Sequence, residues 1–217
     1  MIRRPSLCLL AACFLFSRGG DAATTFTDWT STFGSGPNTT PLGTLSVNGA
    51  SADMFILGTY VGTGSKFDGT SIQFSDASVF NPALATSDAI FMGLGPSNTT
   101  IAVVSSLALD NPVFYLSNIG TGLSFTVSSD TSSAFSVLGS SGMSRSGNIF
   151  TATGANGLLA LTFASPVSEL DLTYEAGTLD SIALQVGNGP PPVVPEPSGA
   201  LLLCATGLLV IARRRAR

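Results

Sequence analysis

Short runs of β-branched and aromatic residues, separated by Gly, Ser and Asn, constrain the fold of this chain more than any other feature. Segments such as 124–127 (Ser-Phe-Thr-Val) and 169–174 (Glu-Leu-Asp-Leu-Thr-Tyr) alternate polar and apolar residues, as half-buried strands do. Only 10% of the residues are charged, which is too few for the exposed faces of long helices. Residues 23–186 are therefore predicted to form an all-β domain.

The number of short strands, and the turns between them, indicate the architecture of this domain. The strands predicted are residues 45–47, 54–57, 71–74, 89–92, 99–104, 113–116, 124–127, 158–163, 169–174 and 181–186. Turn signals that contain Gly lie at 48–49, 68–69 and 146–148. This succession favours an antiparallel β-sandwich with a jelly-roll-like topology over a barrel or a β-solenoid, since we find no fixed-period repeat. A segment around 82–87 is the only helix predicted here.

The first 22 residues have the form of a secretory signal peptide. Arg3 and Arg4 precede an apolar run over residues 7–16, and Gly20 and Ala22 are the small residues before a cleavage site. The run is too short to span a bilayer, which needs about 20 residues. Leu10-Ala11-Ala12-Cys13 also matches a lipoprotein lipobox, but apolar residues follow it where a lipoprotein usually becomes polar.

Three segments with different compositions follow one another at the C-terminus. Residues 187–194 are rich in Gly and Pro and predict an extended spacer. Residues 198–212 carry no charge, and as a helix they would be about 22 Å long, against a hydrocarbon thickness of about 30 Å. Local thinning and snorkelling arginines can absorb this mismatch. The chain then ends in basic residues, and positive charge stays cytoplasmic, so we predict a transmembrane helix with the domain outside. These basic residues are Arg213, Arg214, Arg215 and Arg217.

A short motif, Pro195-Glu196-Pro197, lies between the spacer and the apolar segment. Together with that segment and the terminal arginines, it resembles the PEP-CTERM sorting signal of Gram-negative bacteria. The resemblance covers residues 194–217 only. It implies recognition by an exosortase, a membrane-embedded cysteine transpeptidase-like enzyme that cuts near the motif, and an association with exopolysaccharide and biofilm. Proline on both sides keeps Glu196 extended, as a transpeptidase substrate must be.

These features divide the chain into four parts and place the protein outside the inner membrane. The parts are a signal peptide (1–22), a secreted β-sandwich (23–186), a spacer (187–194) and a sorting signal (195–217) with its transmembrane helix (198–212). We expect transient anchoring in the inner membrane, followed by release to the cell surface or the extracellular matrix.

Charge and composition exclude several classes of function. Residues 23–190 contain two basic and eleven acidic residues, and a net charge of −9 repels the phosphates of nucleic acids. The chain has no histidine, which excludes a Ser-His-Asp triad and the usual zinc sites. Its cysteines, Cys8, Cys13 and Cys204, all lie in the terminal apolar runs, so the domain has neither disulfides nor thiolate chemistry.

Carboxylates remain as the candidates for catalysis. Glu169, Asp171 and Glu175 could serve a secreted, carboxylate-dependent glycoside hydrolase. By alternation, Glu169 and Asp171 share one face of a strand, and such pairs are more often the solvated face of a half-buried strand. We therefore predict a non-catalytic protein and keep the hydrolase as the alternative.

Acidic residues in loop-rich sequence allow a binding site for one cofactor, Ca²⁺. Asp68, Asp76 and Asp88 could clamp a loop through a calcium ion, although loop aspartates usually cap turns. No segment matches an EF-hand loop, so we assign no metal-ligating residue and expect no cofactor other than this calcium ion. Trp29 is the only tryptophan, and a buried position is expected for it rather than a sugar-stacking one.

Overall fold

The computed structural model describes residues 23–31, 42–58, 65–94, 99–132, 134–174 and 180–189. All regular elements in these ranges are β-strands, the sheets are antiparallel, and these residues contain no helix. The all-β, sandwich-like prediction is therefore confirmed. The described residues belong to one compact unit, Ala23–Pro191. The predicted signal peptide, most of the spacer and the sorting signal lie outside the described residues.

Fifteen strands are present in the described ranges. In chain order they are β1 (Thr25–Phe26), β2 (Asp28–Trp29), β3 (Gly43–Val47), β4 (Ala50–Gly58), β5 (Ser65–Ser71), β6 (Ser87–Leu94), β7 (Thr99–Leu109), β8 (Pro112–Ile119), β9 (Ser124–Ser129), β10 (Phe135–Ser141), β11 (Met143–Ser146), β12 (Ile149–Ala152), β13 (Gly157–Phe163), β14 (Val167–Tyr174) and β15 (Asp180–Asn188).

The strands form two sheets whose pairing is nested along the chain. The seven-stranded sheet has the order β10-β13-β8-β15-β6-β5, with β1 also paired to β15. The eight-stranded sheet has the order β11-β12-β9-β14-β7-β4-β3-β2. From β6 to β9 the chain alternates between the sheets, and it does so again from β12 to β15. In consequence β6 pairs with β15, β7 with β14, β8 with β13 and β9 with β12.

One apolar cluster contains side chains of both sheets and forms the main core. Phe114, Leu116 and Leu184 of the seven-stranded sheet and Val103 and Leu172 of the eight-stranded sheet are at most 2% exposed. Burying each such side chain stabilises the fold by about 1.5–3 kcal/mol. β14, by contrast with β8, supplies the core from alternate positions, as its alternating sequence predicts.

A second apolar cluster covers the other face of the seven-stranded sheet. Residues 72–86 leave the sheet after β5, and Phe74 and Phe80 pack there with a ring separation of 5.4 Å. The Phe80 ring lies 4.8 Å from that of Tyr115 on β8, whose hydroxyl donates to the Pro82 carbonyl at 3.2 Å. Burial raises the pKa of Tyr115 to about 12.

This covering segment corrects two predictions. The strand predicted at 71–74 is wrong, since β5 ends at Ser71 and turns follow. Phe74 is buried by the fold of the segment and not by a place in the sheet. The helix around 82–87 is also wrong, because these residues form bends up to the start of β6 at Ser87.

The turn predictions are confirmed at two of the three sites. Asn48 and Gly49 both have positive φ, 51° and 83°, and join β3 to β4 as a two-residue hairpin turn. Gly147, with φ 62°, lies in the turn between β11 and β12. Gly69 instead lies within β5, where the register with β6 shifts. Its φ of 55° and its hydrogen bond to the Asp88 carboxylate belong to a bulge.

A buried amide holds the segment that crosses from one sheet to the other. β1 pairs with β15 and β2 with β3, so the chain changes sheets between Phe26 and Asp28. Trp29 is fully buried, as predicted, and its Nε1 donates to Oε1 of Gln185 at 3.0 Å. Nε2 of Gln185 donates to the carbonyls of Thr27 and Asp88 at 3.0 and 2.9 Å. One side chain thus bonds the segment of Thr27 and Trp29 as well as Asp88 on β6.

Replacing this amide should destabilise the domain strongly. In Gln185→Leu, the Trp29 N–H loses this acceptor and two buried carbonyls lose their donor, which should lower the free energy of unfolding by about 2–4 kcal/mol. Urea unfolding followed by the fluorescence of the single tryptophan would measure this loss. Gln73→Leu is the matched control, because Oε1 of Gln73 accepts one bond, from Ser117. Equal losses in both variants would contradict the assignment.

The last strand extends beyond the domain end that the sequence predicts at residue 186. β15 continues to Asn188, whose Oδ1 accepts a hydrogen bond from the Asn111 N–H at 3.3 Å. The Gly189 N–H then donates to the Asn111 carbonyl at 2.8 Å. The first residues of the predicted spacer are therefore sheet residues.

We expect residues 23–191 to fold alone, with a β-type circular dichroism spectrum and a cooperative thermal transition that reductant does not change. A fragment that ends at Val186 should be less stable by about 1–3 kcal/mol, because it lacks the strand pairing and hydrogen bonds of residues 187–189. Thermal unfolding of the two fragments side by side would measure the difference. Equal midpoints would show that the strand end contributes nothing.

Candidate functional site on the outer face of the eight-stranded sheet

The predicted carboxylate pair lies at the centre of the eight-stranded sheet. β14 pairs with β7 on one side and with β9 on the other. Leu170 and Leu172 point into the core, so Glu169 and Asp171 lie on the opposite, outer face. The prediction that these two acids share one strand face is confirmed. Glu175 lies outside the described residues.

An apolar patch adjoins the pair on the same face. Val104 on β7 is opposite Glu169, and Ala102 is opposite Asp171. One strand further, Phe55 is opposite Val104 and Leu57 is opposite Ala102. Phe55, Leu57, Ala102 and Val104 form what we call the outer apolar patch. Ala102 is 9% exposed and the other three are half-buried.

Hydroxyl groups and a third carboxylate border the pair on its other side. Ser128 on β9 is opposite Asp171, and Asp130 follows at the end of that strand. Oδ2 of Asp130 accepts from the Ser168 N–H at 3.2 Å and from its hydroxyl at 2.5 Å. Ser168 thus fixes the Asp130 carboxylate close to the start of β14.

The carboxylates influence one another electrostatically. Partial burial raises the pKa of Glu169, and the neighbouring Asp171 raises it further, by its charge and by a hydrogen bond between the two side chains. The charge of Asp130 acts in the same direction. Arg145 is the only basic residue whose side chain the structure describes, and it is on edge strand β11, with β12 and β9 between it and β14. The face is therefore acidic.

Of the three acids considered for a glycosidase, the structure describes only Glu169 and Asp171. A glycosidase holds its two carboxyl groups on either side of the scissile bond, with space for the sugar and water between them. Glu169 and Asp171 lie side by side on one face of the same strand. They can accept hydrogen bonds or attract a cation, and these two residues by themselves give the hydrolase alternative no support.

The aspartates considered for calcium are used in local structure. Oδ1 of Asp76 accepts from the N–H and hydroxyl of Ser78 at 2.9 and 2.6 Å, which lowers its pKa and caps a turn. Asp88 accepts from the Gly69 N–H at the bulge, and the side chain of Asp68 lies outside the described part. Within that part, no three His, Cys, Asp or Glu residues are grouped so as to hold a metal ion.

The sorting-signal residues lie outside the described ranges. These are Pro195, Glu196, Pro197, Arg213, Arg214, Arg215 and Arg217. The described ranges contain no helix long and apolar enough to cross a membrane, and the predicted helix 198–212 is not among them.

The outer apolar patch was not predicted, although the sequence carries a signal for it. Residues 54–57 (Met-Phe-Ile-Leu) and 101–104 (Ile-Ala-Val-Val) are continuous apolar runs, and such runs belong to strands with apolar residues on both faces. The runs do not show that β4 pairs with β7, and this pairing is what brings the residues of the patch together.

Comparison with known proteins gives no match, either to a protein-family model or to a curated protein.

Removing the charge of Glu169 should stabilise the domain in a pH-dependent way. Because its pKa is raised by folding, the folded state binds the proton more tightly, and this stability is present at low pH and is lost as pH rises through the folded-state pKa. Glu169→Gln should therefore raise the melting temperature at pH 7 by roughly 1–3 °C, and the gain should vanish below about pH 4.

Thermal scans of both proteins between pH 4 and 8 would test this prediction. Asp76→Asn is the control of opposite sign, since folding lowers the pKa of Asp76 and its carboxylate caps a turn. A gain for Glu169→Gln that is the same at every pH would show that the ionised carboxylate of Glu169 is not its cause.

Proposed function

We propose that this chain is an exported, non-catalytic cell-surface or extracellular-matrix protein that is sorted through a PEP-CTERM-like C-terminal signal. The proposal rests on the order of three segments in the C-terminal tail. Pro195-Glu196-Pro197 is followed at once by the uncharged residues 198–212 and then by the terminal arginines. A compact β-domain ahead of this tail fits a secreted cargo with a removable anchor.

Each terminal segment has one role in the proposed route of export and processing. The signal peptide (1–22) directs export, and the arginines stop translocation so that the helix at 198–212 holds the chain in the inner membrane. An exosortase-type enzyme then cuts near Glu196. The product is the β-domain, released to the surface or the matrix.

We assign the domain to the jelly-roll type of sandwich. The nested pairing supports this, because it places β6-β15-β8-β13 in one sheet and β7-β14-β9-β12 in the other. A jelly roll consists of eight strands in two sheets with two Greek keys. The remaining strands extend both sheets beyond these eight.

The surface of the domain restricts the polysaccharide with which it would associate. Five carboxylates point outward from the eight-stranded sheet, on either side of the outer apolar patch. They are Asp28, Asp53, Asp130, Glu169 and Asp171. Such a face repels polyanions, so a neutral or cationic polymer is the better partner, with the apolar patch contacting sugar rings.

A secreted glycoside hydrolase is the alternative function. It rests on Glu169, Asp171 and Glu175, of which the first two lie side by side on β14 and Glu175 lies outside the described residues. Turnover of a polysaccharide that is lost in Glu169→Ala and in Asp171→Ala would support it over a non-catalytic role.

Intact-mass measurement of the protein from its own host would test the sorting proposal. We expect a mature form without the four terminal arginines and without most of residues 198–212. Glu196→Ala should leave the full-length form in the membrane, because the processing enzyme no longer recognises the motif. Pro191→Ala, in the spacer, is the control and should be processed normally.

Removing the four terminal arginines should instead weaken the stop-transfer signal, so that uncut chain escapes into the periplasm or the medium. If the native protein ends at Arg217 in every fraction, the tail is a permanent transmembrane anchor and the sorting proposal is wrong.

A further inference from the structure

One side of the sandwich is bordered by a single continuous stretch of chain, residues 135–146, which we call the lateral edge. β10 is the last strand of the seven-stranded sheet and β11 the last of the eight-stranded sheet, and Gly142 joins them with φ 63°. β10 pairs with β13 and β11 with β12. Among the described residues no other strand pairs with either, so both are edge strands, although the main chain of Val79 lies against Gly139 of β10.

The lateral edge lies in a part of the chain without acidic residues. Residues 131–168 contain no Asp or Glu, although the rest of the domain is strongly acidic. Arg145, the one charged residue there, has its guanidinium 4.9 Å from the ring centre of Phe135 and 5.5 Å from that of Phe150. Its Nε donates to the Gly147 carbonyl at 2.8 Å, so it is drawn back over the aromatic rings. Two copies that meet here bring no carboxylate of residues 131–168 together.

An exposed apolar residue lies where natural edge strands usually carry a charge. The register of β10 shifts between Val137 and Gly139, which makes Leu138 the extra residue of a bulge. Leu138 is 47% exposed. Edge bulges normally protect a sheet together with lysine or another charged residue, and here the bulged residue is leucine. Ile149, on the neighbouring β12, is 47% exposed as well.

The opposite border of the sandwich is protected in the usual ways. β2 has only two residues, too few to pair with another strand at length. β5 contains the charged residues Lys66 and Asp68 in its sequence. The lateral edge is therefore the longer and the less charged of the two borders.

We infer that the lateral edge is a homotypic interface, at which β10 pairs antiparallel with β10 of a second copy around a two-fold axis near Leu138. The two seven-stranded sheets then become one continuous sheet. Such an interface is self-complementary and closed, because each copy contributes the same edge. The two Leu138 side chains bury each other at its centre, and the acidic outer faces remain apart.

The full chain in detergent micelles can test this inference by sedimentation equilibrium. We expect a dimer, and Leu138→Lys should weaken it by roughly tenfold or more, because it brings two ammonium groups together at the axis. Ser136→Lys, an exposed position of the same strand, is a second variant in case the first folds poorly. Leu107→Lys is the matched control, since Leu107 is 37% exposed on β7 and should leave the dimer unchanged. The emission of buried Trp29 verifies that each variant is folded.

Cysteine cross-linking tests the position of the axis. In a chain with Cys8, Cys13 and Cys204 changed to Ser, Leu138→Cys should form an intermolecular disulfide readily, whereas Leu107→Cys should not. A monomer at all concentrations would overturn the inference. So would a dimer that folded Leu138→Lys and Ser136→Lys variants leave intact, because the contact would then lie elsewhere, for example in the terminal segments.

Discussion

Nested strand pairing is the constraint on which the rest of this structure depends. The chain from β6 to β15 is folded on itself like one long hairpin, whose two halves wind together through both sheets. Every core pair on the way is therefore non-local, from β9 with β12 at the inner end to β6 with β15 at the outer end. The cost of closing such long loops is recovered only when the apolar faces of both sheets meet. The central strands of the main core follow from this pairing. The outer apolar patch also needs β4 paired with β7, and the amide of Gln185 also needs the segment of Thr27 and Trp29.

The fold class can be predicted from the sequence because the pattern of polar and apolar residues in a strand reflects which of its side chains are buried. Segments such as 124–127 and 169–174 alternate, and the structure has them as β9 and β14 with alternating burial. The prediction at 71–74 was wrong because Phe74 has the same apolar signal, but a covering segment and not a strand buries it. The edge strands β10 and β11 were missed because they are rich in Ser, and β12 because it has only four residues. An edge strand has no neighbouring strand on one side, and one of its faces is also in contact with water. It therefore needs fewer apolar residues than a central strand.

The candidate site, too, could be predicted from the sequence only in part. That Glu169 and Asp171 share a face follows from a period of two and could be predicted. That Val104 and Phe55 lie beside Glu169 depends on the register of β4 with β7 and of β7 with β14. Such register is set by contacts between distant strands, which one sequence does not contain. The function we propose, by contrast, rests on a local signal in the tail, and local order is what a sequence shows best.

The central position of β15 has a mechanical consequence. β15 pairs with β6 and β8 along most of its length, and it is the last strand before the C-terminal segment. Hydrogen bonds between antiparallel strands are perpendicular to the strands, so a pull on the C-terminus along β15 would load them in shear, all at once. A strand at the edge of a sheet, pulled sideways, would release them one by one. A domain held by its C-terminus while flow drags on its surface would thus transmit force through the part of its fold best able to resist it.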